Sequence, residues 1–204
     1  MNSTQILSHS IPLVIICLAL ILAPLAQLNA FIIAPVTTVT PTEKSRTILS
    51  KTSLHLSSDV EIYGLTPELE SMCEMFSSVP NEKARYMRMV MMAKQLPPID
   101  PSIQIPENKV PGCLSTVHID CSSSVDENGS TVVNFVGDSD GVLTKGLLAI
   151  LLSGLNGHTS EEIQRVNPEF IKLAKIDQTL TPGRNNGFLN MVKVMKIKAA
   201  AVTA

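Results

Sequence analysis

Hydrophobic residues recur along this chain in three rhythms, and each predicts a different kind of structure. The first is an uncharged apolar run from Ile11 to Leu28, with Pro24 interrupting its second half. Its length suits a transmembrane helix. Gln27-Leu28-Asn29-Ala30 follows, however, and small Ala30 suits a signal-peptidase cut. Residues 1–30 are therefore expected to be a cleaved signal peptide, with a retained membrane anchor as the alternative. The stretch before the run, Met1 to Ser10, departs from the usual pattern, with His9 in place of Lys or Arg. Residues 31–58 then turn rich in Ser and Thr and carry Lys44, Arg46 and Lys51 against Glu43, a transit-peptide-like composition. The alternative is a plain linker, which cannot bury enough apolar surface to order itself.

The second rhythm is helical. Thr66-Pro67 offers an N-cap with Pro at the first helical position, and Leu69, Met72, Cys73 and Phe76 follow at helical spacing. This predicts a helix ending near Val79-Pro80. Asn81 caps a second helix whose inner and outer faces are marked by Ala84, Met87, Val90, Met91 and Lys94, and Leu96-Pro97-Pro98 ends it. The third rhythm alternates: Val117, Ile119 and Cys121 with His118 and Asp120 read as a half-buried strand, and Val132, Val133, Phe135 and Val136 as another. Asn128-Gly129 between them predicts a hairpin turn with positive φ at both positions. Asp138-Ser139-Asp140 reads as the N-cap of a buried helix over Val142 to Leu155, ended by Gly154 and Gly157. Thr159 and Glu162 make a capping box, and Asn167-Pro168 starts a further helix. The last runs from about Asn186 to Lys198 with Leu189, Val192 and Met195 inside, its lysines facing the negative pole of its dipole. Residues 59–204 thus form one domain, without a second boundary or an internal repeat.

Composition narrows the function. With 204 residues and a net charge of -2, the chain has no basic stripe of the kind nucleic-acid binding requires. A mean hydropathy of +0.24 owes much to the first apolar run. Aromatic content is 3% with no Trp, so aliphatic and Met side chains must fill the core.

Cys17 falls in the signal, which leaves Cys73, Cys113 and Cys121, an odd count that argues against a disulfide framework. Cys73 and Cys121 share parity with core positions and read as packing residues. Cys113 follows Val110-Pro111-Gly112 at a loop end, where Pro and Gly place it on a tip. Lys109, and Arg184 folded back from downstream, would favour its thiolate there. Two readings stay open for Cys113: a reactive thiol, or a packed residue beside a Pro-Gly turn. A zinc site of Cys113, His118 and Cys121 is disfavoured, because parity sends His118 and Cys121 to opposite faces and no paired Cys-x-x-Cys is present. No Ser-His-Asp order or phosphate-cradling loop stands out.

Several motifs in order carry a resemblance. Asn108-Lys109-Val110-Pro111-Gly112-Cys113 is followed by Ser115, Val117 and Ile119, then by Gly137-Asp138-Ser139-Asp140 and Leu143-Thr144-Lys145-Gly146-Leu147. Leu180-Thr181-Pro182-Gly183-Arg184-Asn185-Asn186-Gly187 completes the set. From about Leu65 to Ala199 this resembles the SufE family, closest to its plant-type plastid members. The resemblance implies an α+β fold similar to the IscU scaffold, a small antiparallel sheet packed with helices. It further implies a sulfur acceptor and activator of a SufS- or NifS-like cysteine desulfurase, with Cys113 carrying persulfide sulfur towards a downstream iron-sulfur scaffold. Arg184 would meet the anion or the partner, or cap the final helix. No cofactor, metal, nucleic acid or membrane is implied for the mature domain. The alternatives are an IscU-like cluster or metal scaffold, or a desulfurase-binding module with an incidental cysteine. Leu114, Thr116 and His118 depart from common family residues, as does Gly141, which is expected to loosen the first turn of the buried helix. The leader, with Phe31 at the junction, resembles the bipartite presequence of plastids wrapped in extra membranes, implying the plastid stroma; a mitochondrial or membrane-anchored location is the alternative.

Overall fold

The computed structural model describes residues 61–203. The expected signal and transit-like segments, with the alternative membrane anchor, lie outside them. Among the described residues no helix is long and apolar enough to cross a membrane.

Helix α1 spans Pro67–Ser77 and α2 spans Glu82–Gln95. Strands β1 (Val117–Val125) and β2 (Thr131–Ser139) form a hairpin, and the buried helix α3 (Val142–Leu155) follows. A two-residue strand β3 (His158–Thr159), a short helix α4 (Ser160–Arg165) and the long α5 (Pro182–Val202) complete the order. The sheet is antiparallel throughout, ordered β1-β2-β3, with Val117 opposite Ser139 and Val125 opposite Thr131. Helix α3 lies between β2 and the α1–α2 pair, while α5 packs on β1 and α3. The architecture is α+β.

Caps set the helix starts where the residue types demand. Thr66 accepts from the Leu69 amide and donates its hydroxyl proton to the Gly154 carbonyl at 2.7 Å, so one side chain starts α1 and ties it to the end of α3. Asn81 accepts from the Ala84 amide, and Thr159 with Glu162 forms the reciprocal capping box. The core is drawn from Leu65 to Ala199. Phe76, Phe135, Phe170 and Phe188 are all but fully buried, each worth about 1.5–3 kcal/mol of transfer. The Phe170 and Phe188 rings meet edge to face at 5.8 Å.

Four expectations need correction. Helix α2 turns Arg85, Met89 and Ala93 inward, not the positions expected to mark its faces, and leaves Met87 and Met91 exposed. A buried arginine misled the pattern: its guanidinium reaches towards the surface, where its two terminal nitrogens donate to the Val79 carbonyl and to Gln178 Oε1. In the hairpin only Gly129 has positive φ, because Asp126 holds the turn by accepting from the Asn128 and Ser130 amides, giving a longer loop than the two-residue turn expected.

Asp138-Ser139-Asp140 does not cap α3, whose N-cap is Gly141. Asp138 instead pairs with Lys145 at 2.6 Å, and Asp140 binds Thr116. Finally, α5 starts at Pro182, with Leu189 only partly buried, and its last turn holds no basic residue. Lys198 reaches sideways to Asn108 Oδ1 at 2.6 Å and Asp120 at 3.4 Å, tying α5 to β1.

Candidate functional site

Lys109 and His118 form an antiparallel bridge, and the Val110 amide donates to the Val117 carbonyl. Residues 111–116 therefore project as a closed loop from the start of β1. Gly112 turns it with φ of +72°, a conformation that glycine accepts without strain. Thr116 and Asp140 fasten the loop at one end, the Thr116 amide donating to the Asp140 carboxylate at 2.9 Å and the Asp140 amide to the Thr116 carbonyl. Beside them the Ser115 and Thr144 hydroxyls hydrogen-bond at 3.1 Å.

The rest of the loop lies along α5. A Cβ on Gly183 would stand 2.9 Å from Leu114 Cδ1, and one on Gly187 would stand 3.5 Å from Cys113 Sγ. Asn190 occupies the space beside Gly112. Positions 183, 187 and 190 share one helix face by their spacing, so α5 presents a shallow seat that the loop fills. The Cys113 thiol donates to the Gly187 carbonyl at 3.5 Å. Cys113 is half-buried and Leu114, beside it, is 76% exposed.

Residue patterns alone did not reveal this seat, although Gly183 and Gly187 fall within the family-like motifs. The signal for it is the spacing of Gly183 and Gly187, one turn apart on α5. Gly141 contributes as well: a side chain there would collide with Ser115 Oγ at 2.2 Å, so the glycine admits the loop at the head of α3.

The electrostatics overturn one expectation. Burial pushes the Cys113 thiol up, and no cation offsets it. Arg184 sits in the first turn of α5, exposed, and its side chain makes no ion pair or hydrogen bond with another described residue. It caps nothing. The contrast with the other thiols is one of place. Cys73 is buried in α1, points at the Phe170 carbonyl, and burial pushes it up to about 12. Cys121 is half-buried on β1; burial raises it and Lys198 partly offsets this. Of the three, only Cys113 stands on a loop.

A small α+β body that offers one loop thiol beside a short antiparallel sheet defines a class of thiol-bearing proteins. Residues 70–199 match the family model described as "SufE: Fe-S metabolism associated domain", and the chain belongs to the SufE family. It is 43% identical over 135 residues to "SufE-like protein 1, chloroplastic/mitochondrial" of Arabidopsis thaliana, covering 66% of this chain and 35% of that protein. It is 38% identical over 146 residues to "Cysteine desulfuration protein SufE" of Plasmodium vivax, covering 71% and 58%. The chain thus spans about a third and rather over half of these two curated relatives. The fold is similar to the solution structure of a hypothetical protein from Thermus thermophilus, with TM-score 0.58 and 20% identity. That match covers 68% of this chain and 98% of the other, so the same fold stands alone there as a separate chain.

Proposed function

We propose that this protein accepts sulfur from a cysteine desulfurase onto Cys113, activates that enzyme, and delivers the sulfur for iron-sulfur cluster assembly. The observation that carries the reading is the placement of Cys113 on a loop clasped to its neighbours by side chains, while Cys73 is locked in the core. Membership of the SufE family and the name of the Plasmodium relative support it.

The chemistry is an exchange without net oxidation. The Cys113 thiolate attacks the terminal sulfur of the donor persulfide, the donor's S–S bond breaks, and the donor cysteine leaves as a thiolate. Cys113 then carries the S–SH group. Burial and the bond to the Gly187 carbonyl both favour the protonated thiol, so the reaction requires Cys113 to leave its seat on α5 as the donor arrives. Exposed Arg184, on the helix that forms that seat, is the cation we assign to the partner or to the persulfide anion. No observation favours a cluster scaffold: among the described residues, no three metal-ligating side chains converge.

The test is mass spectrometry of the protein mixed with a SufS-like desulfurase and cysteine. Cys113 gains one sulfur atom, and Cys113→Ser loses both the gain and the stimulation of the desulfurase. Sulfur on Cys121 instead, or stimulation that survives the substitution, overturns the reading. We place the protein in the plastid stroma, reached through the leader of residues 1–58. The Arabidopsis relative, named chloroplastic/mitochondrial, supports an organellar address. A fluorescent fusion of residues 1–58 enters the plastid and Phe31→Ala stalls it; mitochondrial or secretory-pathway fluorescence from the wild-type fusion refutes the assignment.

A further inference from the structure

Along α1 and α2 the molecule carries a groove that the sulfur chemistry does not use. Met72 and Met75 of α1 and Met87, Met91 and Met92 of α2 line it, five of the nine methionines in the chain. Its volume is about 840 Å³. Met87 is 50% and Met91 59% exposed, and one turn apart on α2 they make a joint apolar patch. Met89 and Ala93 already anchor α2 to the core, so the outward methionines are not needed for folding. Flexible thioether side chains suit a surface that must mould itself to an incoming apolar ridge. Helices α1 and α2 both pack on α3, and an apolar trough between two such helices suits a third helix laid into it.

Charge selects the occupant. Lys83 and Arg88 are the only charged residues lining the groove, and neither forms an ion pair with another described residue. A second copy docking groove to groove would set these cations against their equivalents. The chain's own residues 31–58 carry Lys44, Arg46 and Lys51 against Glu43, again like charge on like. Acidic groups on the incoming ridge would complete the pairing that these fail to supply. We infer that the α1–α2 groove is a docking site for an amphipathic helix of a partner protein, apolar on the face that enters and flanked by Asp or Glu. The site is independent of Cys113, which lies against α5. A partner can therefore occupy the groove while the thiol is in use.

The test uses protein from Glu61 onward and protein from Phe31 onward, both with 13C-methyl methionine, titrated with two synthetic helical peptides. The peptides share a Leu/Phe face and differ only in having Glu or Lys at the flanking positions. The Glu peptide shifts the methyl signals of the groove methionines and leaves Met191 and Met195, buried in α5, unmoved. It binds about tenfold tighter than the Lys peptide, the difference expected for two partly exposed charge pairs exchanged for repulsions. Met91→Glu, an exposed position, weakens the Glu peptide by a similar factor and leaves the Met191 and Met195 signals in place. Equal binding of the two peptides, or no shift, overturns the inference. So do groove signals already displaced in the protein from Phe31, groove signals that depend on protein concentration, and groove shifts produced by phosphatidylserine vesicles but not by the Glu peptide. These name the chain's own leader, a second copy and a lipid surface as the occupant.

Discussion

Two helices in this protein use glycine to admit a neighbour, and the outcomes differ. In α3, a Cβ on Gly146 would stand 2.5 Å from the Met89 carbonyl oxygen of α2, and one on Gly154 would stand 2.3 Å from Leu69 Cδ2. Both neighbours are wholly buried, so the fit is permanent. In α5, Gly183 and Gly187 admit Leu114 and Cys113, a 76% exposed residue and a half-buried one. The same residue type makes a core joint in one place and a seat for a loop in the other. What separates them is how much apolar surface would be exposed on parting: a great deal from the core, little from the loop.

The largest effects should come from the core joint. Gly146→Val places a side chain against backbone that cannot move aside, and urea unfolding should show a loss of about 3 kcal/mol, the upper end for overpacking. Leu69→Ala, which empties the α1 side of the contact with Gly154, should cost about 2–5 kcal/mol. Comparable losses from Gly187→Ala would erase the distinction. There a Cβ makes ordinary contact at 3.5 Å, and removing a helical glycine should instead add roughly 0.5–1 kcal/mol.

A second effect is tied to pH. An exposed thiol ionises near 9.0, whereas buried Cys73 waits until about 12. Between those values the unfolded chain releases a proton that the folded chain retains, so stability falls as pH rises through that window. The Cys73→Ala variant should show a shallower decline of its urea midpoint above about pH 9 than the wild type. Parallel curves would show that the thiol is not locked in the core.

Gly187→Leu sharpens the comparison on the loop side. It should push Cys113 off its seat and speed its alkylation by iodoacetamide several-fold, with little change in the unfolding midpoint. Slower alkylation would mean that the added side chain covers the sulfur instead. Smallest of all, Leu114→Ala should change stability by no more than about 0.5 kcal/mol, as expected of an exposed side chain. A larger loss would make the loop a structural element in its own right.

Much of the fold was legible because its signals are local. The Thr66-Pro67 start of α1, the Asn81 cap of α2, the apolar run of α3 and the Thr159–Glu162 box each act through near neighbours in the chain, and each stands where expected. The inward face of α2 was not legible, because Arg85 finds its acceptors in Val79 and in distant Gln178. Nor was the role of Asp138 and Asp140, whose partners are Lys145 in α3 and Thr116 across the fold. For the candidate site, the motif order singled out Cys113, but the burial that raises its thiol comes from α5, far along the chain, and could not be read from neighbouring residues.

By itself, then, the amino-acid order determined the element types, the family and the cysteine worth attention, since caps, periodicity and motifs are written in neighbouring residues. Only the tertiary structure decided that Cys113 rests on Gly187, that Lys198 serves Asp120 and Asn108, and that five methionines line one groove with two basic side chains. Those facts depend on which surfaces meet, and burial, charge pairing and close approach exist only once distant segments have been brought together.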